Sequence, residues 1–154
     1  MIWFKSLFGG PKTAGPPEPL RRFQSGETTV SRDEVIATEA GWLVDCDERR
    51  TVRLFEIEKP GVERCLLAYR ARLRAEGLRG RAYLEMWCRL PGQGEFFSKG
   101  FDQALTGTTG WTSCETPFWL KAGRRPDLIK LNLVVEGVGR VEIADVELLA
   151  APLS

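Results

Sequence analysis

DLIKLNLVVEGVGRVEIADVEL, the stretch from Asp127 to Leu148, decides how this chain is read. Its first half alternates: Ile129, Leu131, Leu133 and Val135 share one parity, while Lys130 and Asn132 take the other. A period of two puts these sets on opposite faces of an extended strand, the apolar set toward a core. Gly137-Val138-Gly139 then supplies a glycine turn, and a second strand-like run follows from Arg140. Strand, turn, strand is the expectation here.

The same rhythm extends upstream. Strand-like runs fall at residues 34–38, 42–46, 51–57, 65–75, 81–90, 95–98, 111–115, 118–121, 128–136 and 140–149. Turn residues separate them at Pro60-Gly61, Gly77 to Gly80, Pro91-Gly92, Thr106 to Gly110 and Gly137 to Gly139. Many short strands at such spacing predict an all-β, antiparallel β-sandwich. The run from Arg64 to Glu76 fits a helical period as well, but the parity of its successor and the turn spacing favour strand. There is no internal repeat.

Two adjacent runs separate core from surface. In 65–75, Cys65, Leu67, Tyr69, Ala71, Leu73 and Ala75 point one way, and Arg70, Arg72 and Arg74 the other. In 81–90, Ala82, Leu84, Met86, Cys88 and Leu90 point inward, and Arg81, Tyr83, Glu85, Trp87 and Arg89 outward. The Gly77-Leu78-Arg79-Gly80 segment between them predicts a hairpin, which would gather these outward residues on one face with Lys130 and Asn132. Aromatic rings suit the apolar C–H faces of a sugar, and charged and amide groups suit its hydroxyls. The candidate ligand-binding residues are therefore Arg72, Tyr83, Glu85, Trp87, Lys130 and Asn132. Cross-strand Arg-Glu pairs on a solvated face, or a Trp87 covered by a loop or tail, fit the same pattern.

Composition excludes more than it selects. The chain has no histidine, so Ser-His-Asp and Cys-His activation cannot be built within it, nor can histidine-bearing zinc or iron sites. Cys46, Cys65, Cys88 and Cys114 contain no C-x-x-C pair and are expected to be reduced. A net charge of +1 argues against nucleic-acid binding by bulk charge, and the five arginines between Arg70 and Arg81 read as a locally paired face. Glu85-Met86-Trp87 lacks the alternate carboxylates of a sandwich-fold glucanase. Asp45, Asp47 and Glu48 offer hard oxygen atoms without the spacing of a calcium loop, so a hydrated acidic turn is expected. Thr106-Gly107-Thr108-Thr109-Gly110 has no lysine and no following helix, so it is not a phosphate loop. No catalysis, cofactor or metal is expected.

A motif adds a family resemblance. Gly110-Trp111-Thr112 precedes Thr116-Pro117-Phe118-Trp119-Leu120; a long apolar strand, a glycine turn and a closing strand with Asp145 follow. This order resembles the end of a galactose-binding-like jelly roll, the β-sandwich of many carbohydrate-binding modules. The resemblance implies a jelly-roll fold and a binding rather than catalytic role, with a glycan or another polar ligand as the expected partner. Glu142 stands where related modules often carry an aromatic, and Ala144-Asp145 replaces their acidic pair, which departs from their structural calcium site. No ligand residue transfers, and fold analogy alone does not fix function.

At the start, Met1 to Phe8 is apolar and aromatic apart from Lys5 and Ser6, and is too short to span a membrane. Gly9 to Pro19 is rich in proline and glycine and reads as a linker. The expected division is residues 1–19, an apolar segment and linker, and residues 20–154, the sandwich. No secretory signal is recognisable, so the cytoplasm is the expected location. Met1 to Phe8 could dock on its own domain, on a partner or on a membrane, and a single lysine predicts weak or no membrane contact. A structural or protein-interaction domain, held near a membrane if Met1 to Phe8 docks there, is the competing reading of the whole.

Overall fold

The structure is a computed structural model and describes residues 13–154. It is all-β and antiparallel, with one short 3-10 turn at Phe101–Gln103 and no α-helix among the described residues. The strands are β1 (Glu18–Arg22), β2 (Ile36–Ala37), β3 (Gly41–Cys46), β4 (Arg50–Glu58), β5 (Cys65–Leu90), β6 (Gly94–Lys99), β7 (Leu105–Gly107), β8 (Thr112–Leu120) and β9 (Leu128–Pro152).

The expected hairpin between residues 65–75 and 81–90 does not form. Both runs belong to the single strand β5, and the two closing runs likewise merge into β9. The reason lies in their pairing. β5 runs against β9 from Cys65↔Pro152 to Arg89↔Leu128, so β9 supplies the neighbouring hydrogen-bonding edge for both halves of β5. The glycines bend the strands instead of reversing them. Arg79↔Val138 and Gly80↔Gly137 bring the two bends side by side. A Cβ on Gly80 would stand 1.9 Å from the Glu136 carbonyl oxygen, and one on Gly137 1.8 Å from that of Arg79. Gly80 also has φ 115°, a conformation that L side chains rarely adopt. Only residues without side chains let the two backbones cross this corner so closely.

The corner folds one continuous sheet into two layers. In the first, β9 residues 139–152 lie between β5 residues 65–76 on one side and β3 and β1 on the other; β8 pairs with the far edge of β5, and β2 with β3. In the second, the order is β4, β9 residues 128–135, β5 residues 81–90 and β6. β7 pairs with β5 beside the corner.

Inward parity is as read from the sequence. Leu67, Tyr69 and Leu73 from the first layer share one buried cluster with Leu84, Met86, Leu131 and Leu133 from the second. Each buried leucine of this kind contributes about 1.5–3 kcal/mol relative to exposure. The Tyr69 hydroxyl donates to the Asn132 carbonyl at 3.2 Å, a buried hydrogen bond joining the layers.

The chain joins the sheet early, with Thr13 bridging Leu153 and β1 running beside β9. β1 carries no alternating signal because all five of its residues are exposed at a sheet margin. No helix among the described residues is long and apolar enough to cross a membrane. The expectation for Met1 to Phe8 lies outside the described residues.

Candidate functional site

The predicted residues divide between the two outer faces. Arg72 belongs to the first layer, whereas Tyr83, Glu85, Trp87, Lys130 and Asn132 share the outer face of the second. The corner causes this split: a hairpin would have kept Arg72 beside Tyr83, but a bend carries it to the opposite side of the molecule.

On the second layer, register sets the rows. Trp87 stands between Lys130 and Phe97, and Glu85 between Asn132 and Lys99. Asn132 Nδ2 donates to Glu85 Oε1 at 2.9 Å, and Lys99 Nζ lies 3.5 Å from Glu85 Oε2. Lys130 Nζ meets Glu95 Oε1 at 2.8 Å. The Tyr83 hydroxyl donates to Glu136 Oε2 at 3.0 Å, and Arg81 Nε donates to Glu136 Oε1 at 2.6 Å. Burial, then the bond to Glu136, pushes the Tyr83 phenol up to about 12. The Arg81 hydrogen bond holds the Glu136 carboxyl below its ordinary range.

Exposure sorts these residues into supports and contacts. Tyr83, Glu85 and Asn132 are buried beneath their neighbours, whereas Phe97 is 54% and Phe101 45% exposed, with Trp87 half-buried. The Trp87 and Phe97 ring centroids are 5.1 Å apart with planes at 53°. Lys99 Nζ sits 4.8 Å from the Phe97 ring centroid and 5.8 Å from that of Phe101, inside cation–π range. Arg81 lies 4.7 Å from the Phe101 centroid. The result is a platform of tilted rings around fixed cations, standing on a buried Glu85–Asn132 pair.

Phe97, Lys99 and Phe101 were not singled out from the sequence. A signal existed: Glu95, Phe97 and Lys99 alternate with the parity that pairs them with Arg89, Trp87 and Glu85. The segment was read only as a short strand, and its partner could not be assigned without the register.

Arg72 sits in a different environment. Its Nε donates to Asp145 Oδ2 at 2.6 Å, and its guanidinium lies 5.3 Å from the Trp111 ring centroid. Arg74 contacts the same ring at 4.6 Å and donates to Glu142 at 2.8 Å. Asp145, with φ 53°, lies in a register shift where Arg70 faces Glu147 and Arg72 faces Ala144. Arg70 lies within ion-pair distance of Glu115 and Glu147. Burial pushes the Glu115 carboxyl up, against the pull of Arg70.

Cavities lie apart from the predicted residues. One of about 330 Å³ is lined by Leu43, Arg74, Thr108, Thr109, Arg140 and Glu142. Others of about 520 and 270 Å³ flank Phe23. None of the three is lined by Arg72, Tyr83, Glu85, Trp87, Lys130 or Asn132.

The acidic turn is neutralised by arginine. Asp47 and Glu48 lie 3.6 and 3.9 Å from Arg50, and Asp45 lies 3.5 Å from Arg140. Among the described residues, no group of three or more potential metal ligands converges. All four cysteines are free and buried. Burial pushes Cys65 and Cys114 up to about 11 and Cys88 up to about 12, so these thiols are protonated and shielded at neutral pH.

No family model matches the chain, and no curated protein sequence matches it. A solved structure titled "BiXyn10A CBM1 APO" is similar over 89% of this chain and 97% of its own, with 11% sequence identity and a TM-score of 0.45.

Proposed function

We propose that this protein is a non-catalytic binding module that takes a glycan or similarly polar ligand on the outer face of the second layer. The observation that carries the reading is the exposure of Phe97 and Phe101 on either side of Lys99, next to half-buried Trp87. Rings of this kind offer apolar surface to a sugar face, while Lys99, Lys130 and Arg81 offer donors to its hydroxyls. Glu85 and Asn132 act from beneath, fixing Lys99 and the strand pairing. In this reading the sandwich is of the galactose-binding-like jelly-roll type that residues 110–149 resemble, and the protein works in the cytoplasm. Arg72 has no part in this surface and would serve the ion pairs of the other layer.

Screening on a broad glycan array, with Phe97→Ala and Trp87→Ala as controls, tests the proposal. The expected result is selective binding, reduced about tenfold by either truncation, since one aromatic contact is worth about 0.5–1.5 kcal/mol beyond its buried area. Background signal throughout, or binding indifferent to both changes, overturns it.

A protein-interaction domain is the second reading. It is favoured by the position of the exposed rings: Phe96, 40% exposed, and Phe97 occupy adjacent positions of β6, so their side chains project to opposite faces of the outermost strand of the second layer. A blank array would shift the weight to this reading.

A further inference from the structure

Among the described residues, the second layer ends in a strand with an unused edge. β6 closes the sheet order and pairs with β5 alone, from Glu85↔Lys99 to Leu90↔Gly94. The Gly100 N–H donates to the Leu84 carbonyl at 2.9 Å, one rung beyond Lys99, which fixes the phase of the ladder. Along an antiparallel strand, backbone groups point alternately toward and away from a given neighbour. Gly94, Phe96 and Ser98 therefore direct their N–H and C=O groups at β5, whereas Glu95, Phe97 and Lys99 direct theirs outward. None of these outward backbone groups bonds to another described residue. Phe96 and Phe97 flank the edge at 40% and 54% exposure. An exposed, unpaired strand carrying large apolar side chains is a template for another strand.

We propose that β6 pairs with β6 of a second copy, forming an antiparallel, two-fold dimer centred on Phe97. The edge is self-complementary in this arrangement. With Phe97 opposite the partner's Phe97, Glu95 faces the partner's Lys99 and Lys99 the partner's Glu95, so every outward-facing residue of the strand is matched. Each matched pair exchanges both of its N–H···O=C bonds. Sliding the register to the next allowed position sets the charges against Phe97, and a parallel arrangement sets Glu95 beside the partner's Glu95. Opposite charges across strands stabilise and like charges destabilise, so the centred antiparallel register is selected. Within each copy Glu95 and Lys99 keep Lys130 and Glu85 at 2.8 and 3.5 Å, with side chains 37% and 26% exposed. Their charge therefore chooses the register and adds little strength. A two-fold contact uses the same patch on both copies and stops at a dimer. It is small and belongs to the weak, concentration-dependent class. Pairing occupies backbone edges and leaves the outer face of Phe97 and Phe101 open, so the dimer does not rest on the glycan reading.

Sedimentation equilibrium of the full chain, with amide–water exchange read by NMR at about 30 µM and about 1 mM, tests the proposal across the range of weak interfaces. The mass should approach that of a dimer at the higher concentration. There the amides of Glu95, Phe97 and Lys99 should exchange severalfold more slowly, while those of Phe96 and Ser98, already bonded to β5, exchange alike at both concentrations. Phe97→Pro removes an outward N–H that β5 does not use and is tolerated on an edge strand. It should hold the chain monomeric while near-UV circular dichroism reports an intact core; if that variant does not fold, the exchange pattern of the unaltered chain decides. A monomer at both concentrations overturns the proposal. So does a dimer in which Glu95, Phe97 and Lys99 exchange as they do in the monomer, or one that a folded Phe97→Pro variant still forms. None of these results decides the glycan array, which reads ligand binding by monomer and dimer alike.

Discussion

The outer faces of the two layers are made by the same two strands, β5 and β9, yet they carry different chemistry. On the first layer, Arg72 and Arg74 of β5 meet Asp145 and Glu142 of β9 in partly exposed ion pairs. On the second, the corresponding positions carry Glu85 and Asn132, buried and hydrogen-bonded, under a surface of aromatic rings. Exposed pairs remain solvated and contribute little. A buried carboxylate–amide pair specifies position, because separating it strands a polar group without water. The contrast teaches that alternation alone assigns a residue to a face, while the neighbouring strands decide whether that face is solvent, support or platform.

The strongest way to break the comparison is to remove the corner that separates the two faces. Gly137→Val would force a Cβ into the Arg79 carbonyl, where the available space is 1.8 Å. The expected loss exceeds about 4 kcal/mol or abolishes folding, as read by urea unfolding. A well-folded variant of near-normal stability would refute the account of the bend.

Alkaline titration probes the core common to both layers. Cys65 and Cys114 lie in the first and Cys88 in the second, all raised above the ordinary thiol value of 9.0. Above that value the unfolded chain releases thiol protons that the folded chain retains, so stability falls as pH rises. Each thiol contributes a slope of about 1.4 kcal/mol per pH unit until it titrates in the fold, near 11 for Cys65 and Cys114 and near 12 for Cys88. Unfolding midpoints that stay flat between pH 9 and 10, on the order of one unit of this linkage, would contradict that burial.

A paired substitution sharpens the contrast between faces. Asn132→Ala removes the donor to Glu85 and should cost about 1–3 kcal/mol. Arg72→Ala breaks a pair whose side chains are 46% and 65% exposed and should cost under about 1 kcal/mol. Equal costs in parallel denaturant titrations would erase the distinction between support and solvated ladder.

The alternation along residues 65–75, 81–90 and 128–136, with the regular spacing of turn residues between short strand-like runs, was enough to predict an all-β antiparallel chain and to orient most of its core, because side-chain direction in a strand follows from backbone geometry alone. It also grouped Tyr83, Glu85 and Trp87 on one face. Three things required the tertiary structure. The glycines at 77–80 and 137–139 permit a turn or a bend equally well, and only the continuous pairing of β5 with β9 selects the bend. That choice sent Arg72 to the other side of the molecule. Phe97, Lys99 and Phe101 joined Trp87 only once β6 had a register, and the depth of Glu85 and Asn132 depended on side chains from β6 and beyond. Local periodicity is written in consecutive residues, whereas strand partnership and exposure arise between residues far apart in the chain, where no short stretch carries the information.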